Sequence, residues 1–299
     1  MRNALSVLLH PHPISEFITK LEIGAPFIVH HGSDGLHALT DLPFLSSLSG
    51  LLNCWPGKIK AHLPDARDES SSIDTSATDA KKLFENGMGL LFNEAQEISP
   101  LLVQWLEEIR QAAGLPALTY SRCLIYATPK NGGTAPHFDQ NINFVVQIKG
   151  KKTWYMAPNK SVLNPMTRFT MKTEPDPELQ SYVHETLPTT MPKDAQKIDL
   201  LPGSMLFVPR GYWHSTEAQE EALALNFTFT VPTWIDLFLT ALRTRLAQSQ
   251  DWRESAHGVS DSSRRANSEI HLETLLESLV DDLPNWKAED ILAVTDGQV

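Results

Sequence analysis

The sequence predicts a mainly β fold with flanking helices, of the α+β class, followed by a C-terminal helical module. Three observations carry this. From residue 120 to about 231, apolar runs of strand length are separated by turn signals. Residues 99–113 instead place Leu102, Trp105, Leu106 and Ile109 at helical spacing. After Pro232 the helical period returns, with Leu237, Leu239, Leu242 and Leu246 in residues 234–248 and Leu272, Leu275, Leu276, Leu279 and Leu283 in residues 268–283. The boundary falls there, giving residues 1–232 as N-terminal elements plus the β domain and 233–299 as a helical region.

In chain order, residues 14–21 read as a short helix, since Pro13 presets the first turn and Glu16 sits at its positive end. Residues 26–30 (PFIVH) form a short strand, and residues 35–52 a turn and short helix. Residues 64–82 (PDARDESSSIDTSATDAKK) are polar and poor in apolar side chains, which predicts a mobile loop. Residues 83–93 lead into the helix at 99–113, with Ser99 as N-cap, Pro100 in the first turn and Gly114 as its stop. Residues 144–148 and 153–156, joined by Lys149-Gly150-Lys151, read as a β-hairpin. Residues 159–197, rich in Pro and Thr, read as an irregular loop near the mouth of the β domain. Residues 201–214 give a turn, an apolar strand and a second turn, and residues 251–267 a polar loop.

Composition narrows the class. A chain of 299 residues with 41% hydrophobic residues can bury a large core. No apolar run approaches the ~20 residues of a membrane span, and Pro11 and Pro13 cut the first apolar stretch too short for a signal peptide. Two cysteines, Cys54 and Cys123, make no disulfide framework, so a cytoplasmic location is expected. The net charge of −11 argues against binding nucleic acid through phosphates and suits a basic protein or peptide.

The chemistry concentrates in Thr134-Ala-Pro-His137-Phe-Asp139, answered far downstream by Gly211-Tyr-Trp-His214. On a strand, residues i and i+2 share a face, so His137 and Asp139 can reach one metal while Phe138 points away. His214, at the start of another strand, can return as third ligand. Two imidazoles and a carboxylate with open positions suit non-haem Fe(II). Lys152 shares its face with Trp154, whereas Lys149 and Lys151 read as solvated turn lysines. His10, His12, His30, His31, His37, His62, His184, His257 and His271 lack ligand spacing on strands, and most read as surface or turn residues.

Two longer motifs surround these residues. Gln147-Ile-Lys-Gly-Lys-Lys-Thr-Trp154 and Pro202-Gly203 followed by Val208-Pro-Arg-Gly-Tyr-Trp-His214 resemble the two signature stretches of the JmjC branch of the cupin superfamily. That branch comprises Fe(II)- and 2-oxoglutarate-dependent oxygenases. The similarity runs from about Lys82 to Val231 and is greatest to the ribosomal oxygenases and the asparaginyl hydroxylase of hypoxia-inducible factor. It implies a double-stranded β-helix, the cupin/JmjC jelly roll, with His137, Asp139 and His214 as iron ligands and 2-oxoglutarate and O2 as cosubstrates.

The resemblance also implies that Lys152, fifteen positions after His137, holds the distal carboxylate of 2-oxoglutarate. Thr134, Asn143, Asn226 and Tyr126 match residues near the cosubstrate. The residues alone leave Thr134 open between turn chemistry and cosubstrate contact. They leave Asn143 and Asn226 open between structural buried amides and site amides. The implied activity is side-chain hydroxylation of a protein or peptide. Hydroxylation of a small molecule or modified nucleoside, and a non-oxygenase metal-binding cupin, stay open. The resemblance further implies a homodimer paired through the C-terminal helices; helices that only cap the β domain of their own chain stay open. Few residues follow Leu283, so the winged-helix domain usual in the ribosomal-oxygenase group is not expected, which puts a ribosomal-protein substrate in doubt.

Overall fold

In the computed structural model, residues 3–30, 36–63 and 71–293 are described. Helices α1 (Ala4–Leu9) and α2 (Ile14–Glu22), strand β1 (Phe27–His30), and helices α3 (His37–Thr40) and α4 (Leu48–Cys54) come first. They are followed by β2 (Ile59–His62), β3 (Ser72–Thr75), α5 (Ala77–Glu85), β4 (Gly89–Phe92) and α6 (Pro100–Ala112). The β domain proper contains β5 (Tyr120–Thr128), β6 (Gly133–Phe138), β7 (Ile142–Lys149), β8 (Lys152–Ala157) and β9 (Phe169–Thr170). After α7 (Pro177–Ser181) come β10 (Gln196–Leu200), β11 (Ser204–Val208), β12 (Trp213–Ala218) and β13 (Ala222–Thr230). Helices α8 (Trp234–Leu246), α9 (Arg265–Asp282) and α10 (Ala288–Ala293) close the described chain.

The strands form two antiparallel sheets, an eight-stranded one in the order β1-β11-β7-β13-β5-β4-β2-β3 and a five-stranded one in the order β10-β8-β12-β6-β9. Side-chain alternation explains the layering. On the inner faces, Val145, Leu206, Val208 and Ala224 of the large sheet meet Trp154, Met156, Ile198 and Leu200 of the small one in one buried cluster. The alternate residues of the large sheet face outward, onto helices. Phe17 of α2 packs edge-on against Phe207 at 5.0 Å, and Trp105 of α6 stacks on Phe227 at 5.9 Å. Each such ring contributes roughly 1.5–3 kcal/mol by leaving water. The result is a jelly roll with an apolar layer on each face of the large sheet.

Several sequence expectations need correction. Residues 144–148 and 153–156 are strands but not a hairpin. β7 pairs with β11 and β13 in the large sheet, whereas β8 pairs with β10 and β12 in the small one. Gly150 turns the corner at φ +68°, and a Cβ there would lie 2.1 Å from the Glu221 carbonyl oxygen. Only glycine fits a backbone that both bends and approaches another strand this closely.

Residues 71–82 are not a loop either. β3 pairs with β2, placing Lys60 opposite Asp74, and the Ser76 side chain caps α5 by accepting from the Asp79 N–H. Ladder and cap hydrogen bonds form these exposed elements without the apolar side chains whose lack suggested disorder. Residues 64–70, like His31 and Gly35, lie outside the described residues. The segment 159–197 also holds order, namely α7 and β9, the latter paired with β6. Ser99 occupies the N-cap position of α6, but its side chain makes no capping hydrogen bond.

The chain divides into two units, residues 1–115 with 120–230, and residues 116–119 with 231–299. In the second unit, Thr233 and Asp236 form a reciprocal capping box at the start of α8. Arg245 of α8 pairs with Asp282, and its guanidinium lies 5.2 Å from the Trp286 ring centroid. Helix α9 has no buried residue, and Ile270, Leu272, Leu276 and Val280 are exposed along it. Among the described residues, no helix is long and apolar enough to cross a membrane.

Candidate metal centre

β6 and β12 are neighbours in the small sheet, and their register puts His137 directly opposite His214. Both point inward, because Phe138 and Trp213 take the alternate, outward positions in a second apolar cluster with Phe169 and Leu179. Asp139 follows β6 at the rim, where the Gly211 N–H donates to its carbonyl oxygen at 2.8 Å. That bond closes the turn before β12, and Gly211 itself has φ +77°. His137, Asp139 and His214 thereby bring three ligand atoms within 4.8 Å of one another.

The hydrogen bonds determine which imidazole nitrogen faces the centre. His137 Nδ1 lies 2.7 Å from the Ala135 carbonyl oxygen and His214 Nδ1 lies 2.9 Å from that of Tyr212. A carbonyl can only accept, so each Nδ1 carries the proton. In the neutral rings each Nε2 then presents a lone pair. Those atoms stand 3.8 Å and 3.6 Å from Asp139 Oδ2. Trp154 stacks on His214, with centroids 5.6 Å apart and planes 23° from parallel, and fixes its ring from the inner side.

These residues line a cavity between the two sheets, which Lys152, Tyr126, Thr134, Asn143 and Asn226 also border. Lys152 is 4% exposed and donates to Thr128 Oγ1 at 3.0 Å, beneath the Tyr126 ring. Asn226 Oδ1 is buried and has no hydrogen-bond partner among the described residues.

Comparison with known proteins places this arrangement. The JmjC domain family matches residues 104–237, a span holding all three clustered residues. The uncharacterized protein YxbC of Bacillus subtilis is 32% identical over 287 residues, covering 94% of this chain and 86% of that protein. This chain belongs to the JmjC family. Ribosomal oxygenase 1 of Rattus norvegicus is 26% identical over 245 residues, or 79% of this chain and 38% of that protein. The JmjC chain therefore spans well under two thirds of that relative. Among solved structures, Escherichia coli YcfD superposes with a TM-score of 0.58 at 17% identity, covering 94% of this chain and 70% of that one. A YcfD ribosomal oxygenase structure in complex with cobalt and succinic acid gives 0.51 at 17%, over 89% and 65% of the two chains. Both likenesses support the jelly-roll fold.

All eight site residues singled out from the sequence border this one JmjC cavity. The structure gives most of them partners that the sequence does not reveal. Thr134 Oγ1 lies 3.0 Å from Thr216 Oγ1, and the Thr228 hydroxyl donates to Asn143 Oδ1 at 2.7 Å. Lys151, the neighbour of Lys152, is a surface residue paired with Asp199 at 2.7 Å. Hydrogen bonding to Lys151 and then to Thr153 holds the Asp199 carboxyl below its usual range.

Three neighbours of the site were not legible. Thr128 and Thr216 are ordinary strand threonines by sequence. Arg168 lies in the segment expected to be irregular, yet its Nε is 3.2 Å from Asp139 Oδ1. His62 also departs from expectation: it lies on β2, half-buried, and lines a second cavity with Thr128, Lys130 and Lys152.

Proposed function

We propose that this chain is an Fe(II)- and 2-oxoglutarate-dependent oxygenase that hydroxylates a side chain of a protein or peptide. The observation that carries the reading is the shared cavity, with two imidazole Nε2 atoms and a carboxylate oxygen converging at the rim and a buried lysine below them. The donor set fits a divalent iron with open positions. The buried, unpartnered Asn226 Oδ1 and the buried Lys152 fit a small polar cosubstrate in the same cavity. The cobalt and succinic acid bound by YcfD support the same assignment.

When bound, iron and 2-oxoglutarate supply an oxidation in which O2 is consumed, 2-oxoglutarate becomes succinate and CO2, and one oxygen atom enters a substrate C–H bond. His137, Asp139 and His214 would hold the metal, the two histidines with their Nδ1 protons committed to backbone carbonyls. Lys152 would bind the distal carboxylate through its ammonium, a charge-assisted contact in a site with little competing water. Thr134, Tyr126, Asn143 and Asn226 would orient the cosubstrate. Val145, Val208, Ala224 and Trp154 exclude water around it.

The acidic chain suits a basic protein or peptide substrate. The protein works as a cytoplasmic homodimer in this reading, supported by its two free cysteines and by the exposed apolar stripe of α9. The test is mass spectrometry of cell-extract proteins incubated with the full chain, Fe(II) and 2-oxoglutarate, with succinate measured in parallel. A protein gaining one oxygen atom only when the enzyme is present supports the reading. Succinate formation without such a product points to a small molecule or modified nucleoside. No succinate with any extract returns the chain to a non-oxygenase metal-binding role.

A further inference from the structure

The triad accounts for one oxygen of Asp139, and Arg168 accounts for the other. β9 runs antiparallel to β6, with Thr170 opposite His137 and Phe169 opposite Phe138. One step further along the same register brings Arg168 beside Asp139. Its Nε forms an ion pair with Oδ1 at 3.2 Å, while Oδ2 faces His137 Nε2 at 3.8 Å and His214 Nε2 at 3.6 Å. The carboxylate is thus divided, one oxygen toward a fixed cation and one toward the histidines.

The strand that Arg168 leads into is itself anchored. Phe169 and Met171 are buried with Phe138, Leu179 and Trp213 on the outer face of the small sheet. The Met171 N–H donates to the Pro136 carbonyl oxygen at 2.8 Å. Arg168 therefore approaches Asp139 from a packed backbone, and its guanidinium keeps its charge at every pH the fold tolerates.

The geometry points to Arg168 as a positioning residue that fixes the Asp139 carboxylate so that Oδ2 alone serves the metal. This inference rests on the triad's reading as a metal site. Two consequences follow from the division of oxygens. The carboxylate loses little rotational freedom when a metal arrives, because its orientation is already set. Oδ1 is also kept from swinging onto the metal, where a second carboxylate bond would occupy a position that the cosubstrate needs. Partners of this kind around metal ligands typically change affinity or activity 10- to 100-fold when removed. The same contact ties the 159–197 segment to the centre, so displacement of that segment would be felt at the metal.

The test uses the full chain, freed of metal, as wild type, Arg168→Gln and Arg168→Lys. Mn(II) affinity is measured by titration calorimetry, and the carboxylate's binding mode is followed by the visible spectrum of the Co(II)-loaded proteins. Arg168→Gln should bind Mn(II) about 10- to 100-fold more weakly and shift the Co(II) bands. Arg168→Lys, which keeps the charge, should fall between it and wild type. An Arg168→Gln protein that binds Mn(II) within twofold of wild type, with the same Co(II) spectrum, overturns the inference. Should Arg168→Gln fail to fold, Arg168→Lys alone decides by the same two readings. Failure of wild type to bind either ion would instead remove the metal-site reading beneath it.

Discussion

His137 and His214 are cross-strand partners, with ring centroids 4.1 Å apart. Two residues from distant parts of the chain are therefore set side by side by sheet register alone. A bulge in β6, where Ala135 and Pro136 together oppose Ser215, then shifts the register so that Thr216 meets Thr134. One extra residue in β6 thus serves both ends of the cavity, the histidines at the rim and the hydroxyl pair below.

The register makes the metal site intolerant of losing either ring. His137→Ala and His214→Ala should each reduce bound iron from about one ion per chain to near zero and abolish 2-oxoglutarate turnover. Metal analysis after reconstitution checks the first, and succinate release the second. Full occupancy and turnover in both variants would sink the assignment.

Lys152→Ala should raise the KM for 2-oxoglutarate by roughly 10- to 150-fold, the equivalent of about 1.5–3 kcal/mol for a lost hydrogen bond to a charged group. Metal binding should persist. Lys151→Ala is the control, because Lys151 is already paired with Asp199 at the surface, and its KM should stay at the wild-type value.

If α9 pairs two subunits, as proposed, its exposed positions are the ones to change. Leu275 and Leu279 are half-buried, whereas Leu276 and Val280 are exposed. Leu276→Glu with Val280→Glu should give a folded particle of one chain mass, while wild type runs above 33.4 kDa in light scattering. A wild-type mass of 33.4 kDa at micromolar concentration would mean that the stripe has no second copy to bind.

Gly150→Ala should destabilise the fold by at least ~2 kcal/mol, since the alanine meets both a positive φ and the Glu221 carbonyl. Urea denaturation followed by tryptophan fluorescence gives the value. An unchanged midpoint would show that the corner relaxes freely.

Burial, with a smaller contribution from Glu94, pushes the Cys123 thiol well above its usual range, while Cys54 is exposed. A thiol reagent at mildly alkaline pH should therefore label one thiol per native chain and both after unfolding. The sign of the linkage follows. The folded chain keeps the Cys123 proton where the unfolded chain gives it up, so this contribution to stability is complete below the unfolded thiol's pKa. It is lost as the pH climbs through that value toward the folded one. Faster labelling of Cys123 than of Cys54 would contradict this burial.

Much of the centre was legible because it depends on local periodicity. The i, i+2 spacing of His137 and Asp139 brings both to one side whatever the partner strand is, even though Asp139 falls just past the end of β6, and Trp154 shares a strand face with Lys152. The rest depends on long-range pairing. A hairpin and a corner between two sheets give the same alternation around Gly150, so the sequence alone could not separate them. Residues 71–82 were misjudged because an exposed edge strand and a capped surface helix need few apolar residues. Arg168 left no signal at all: β9 spans two residues, too short for any period to show.

The corner at Gly150 has a kinetic consequence. Because β7 and β8 enter different sheets, neither finds its partner next door in the chain. The bond between Thr228 and Asn143 bridges 85 residues, that between Thr134 and Thr216 bridges 82, and that between His30 and Ser204 bridges 174. Loops of this length must close before any reward is gathered, which places the domain among the slow, topology-limited folders. The chain must stay soluble while β7, one of its most apolar strands, waits for partners made much later in synthesis.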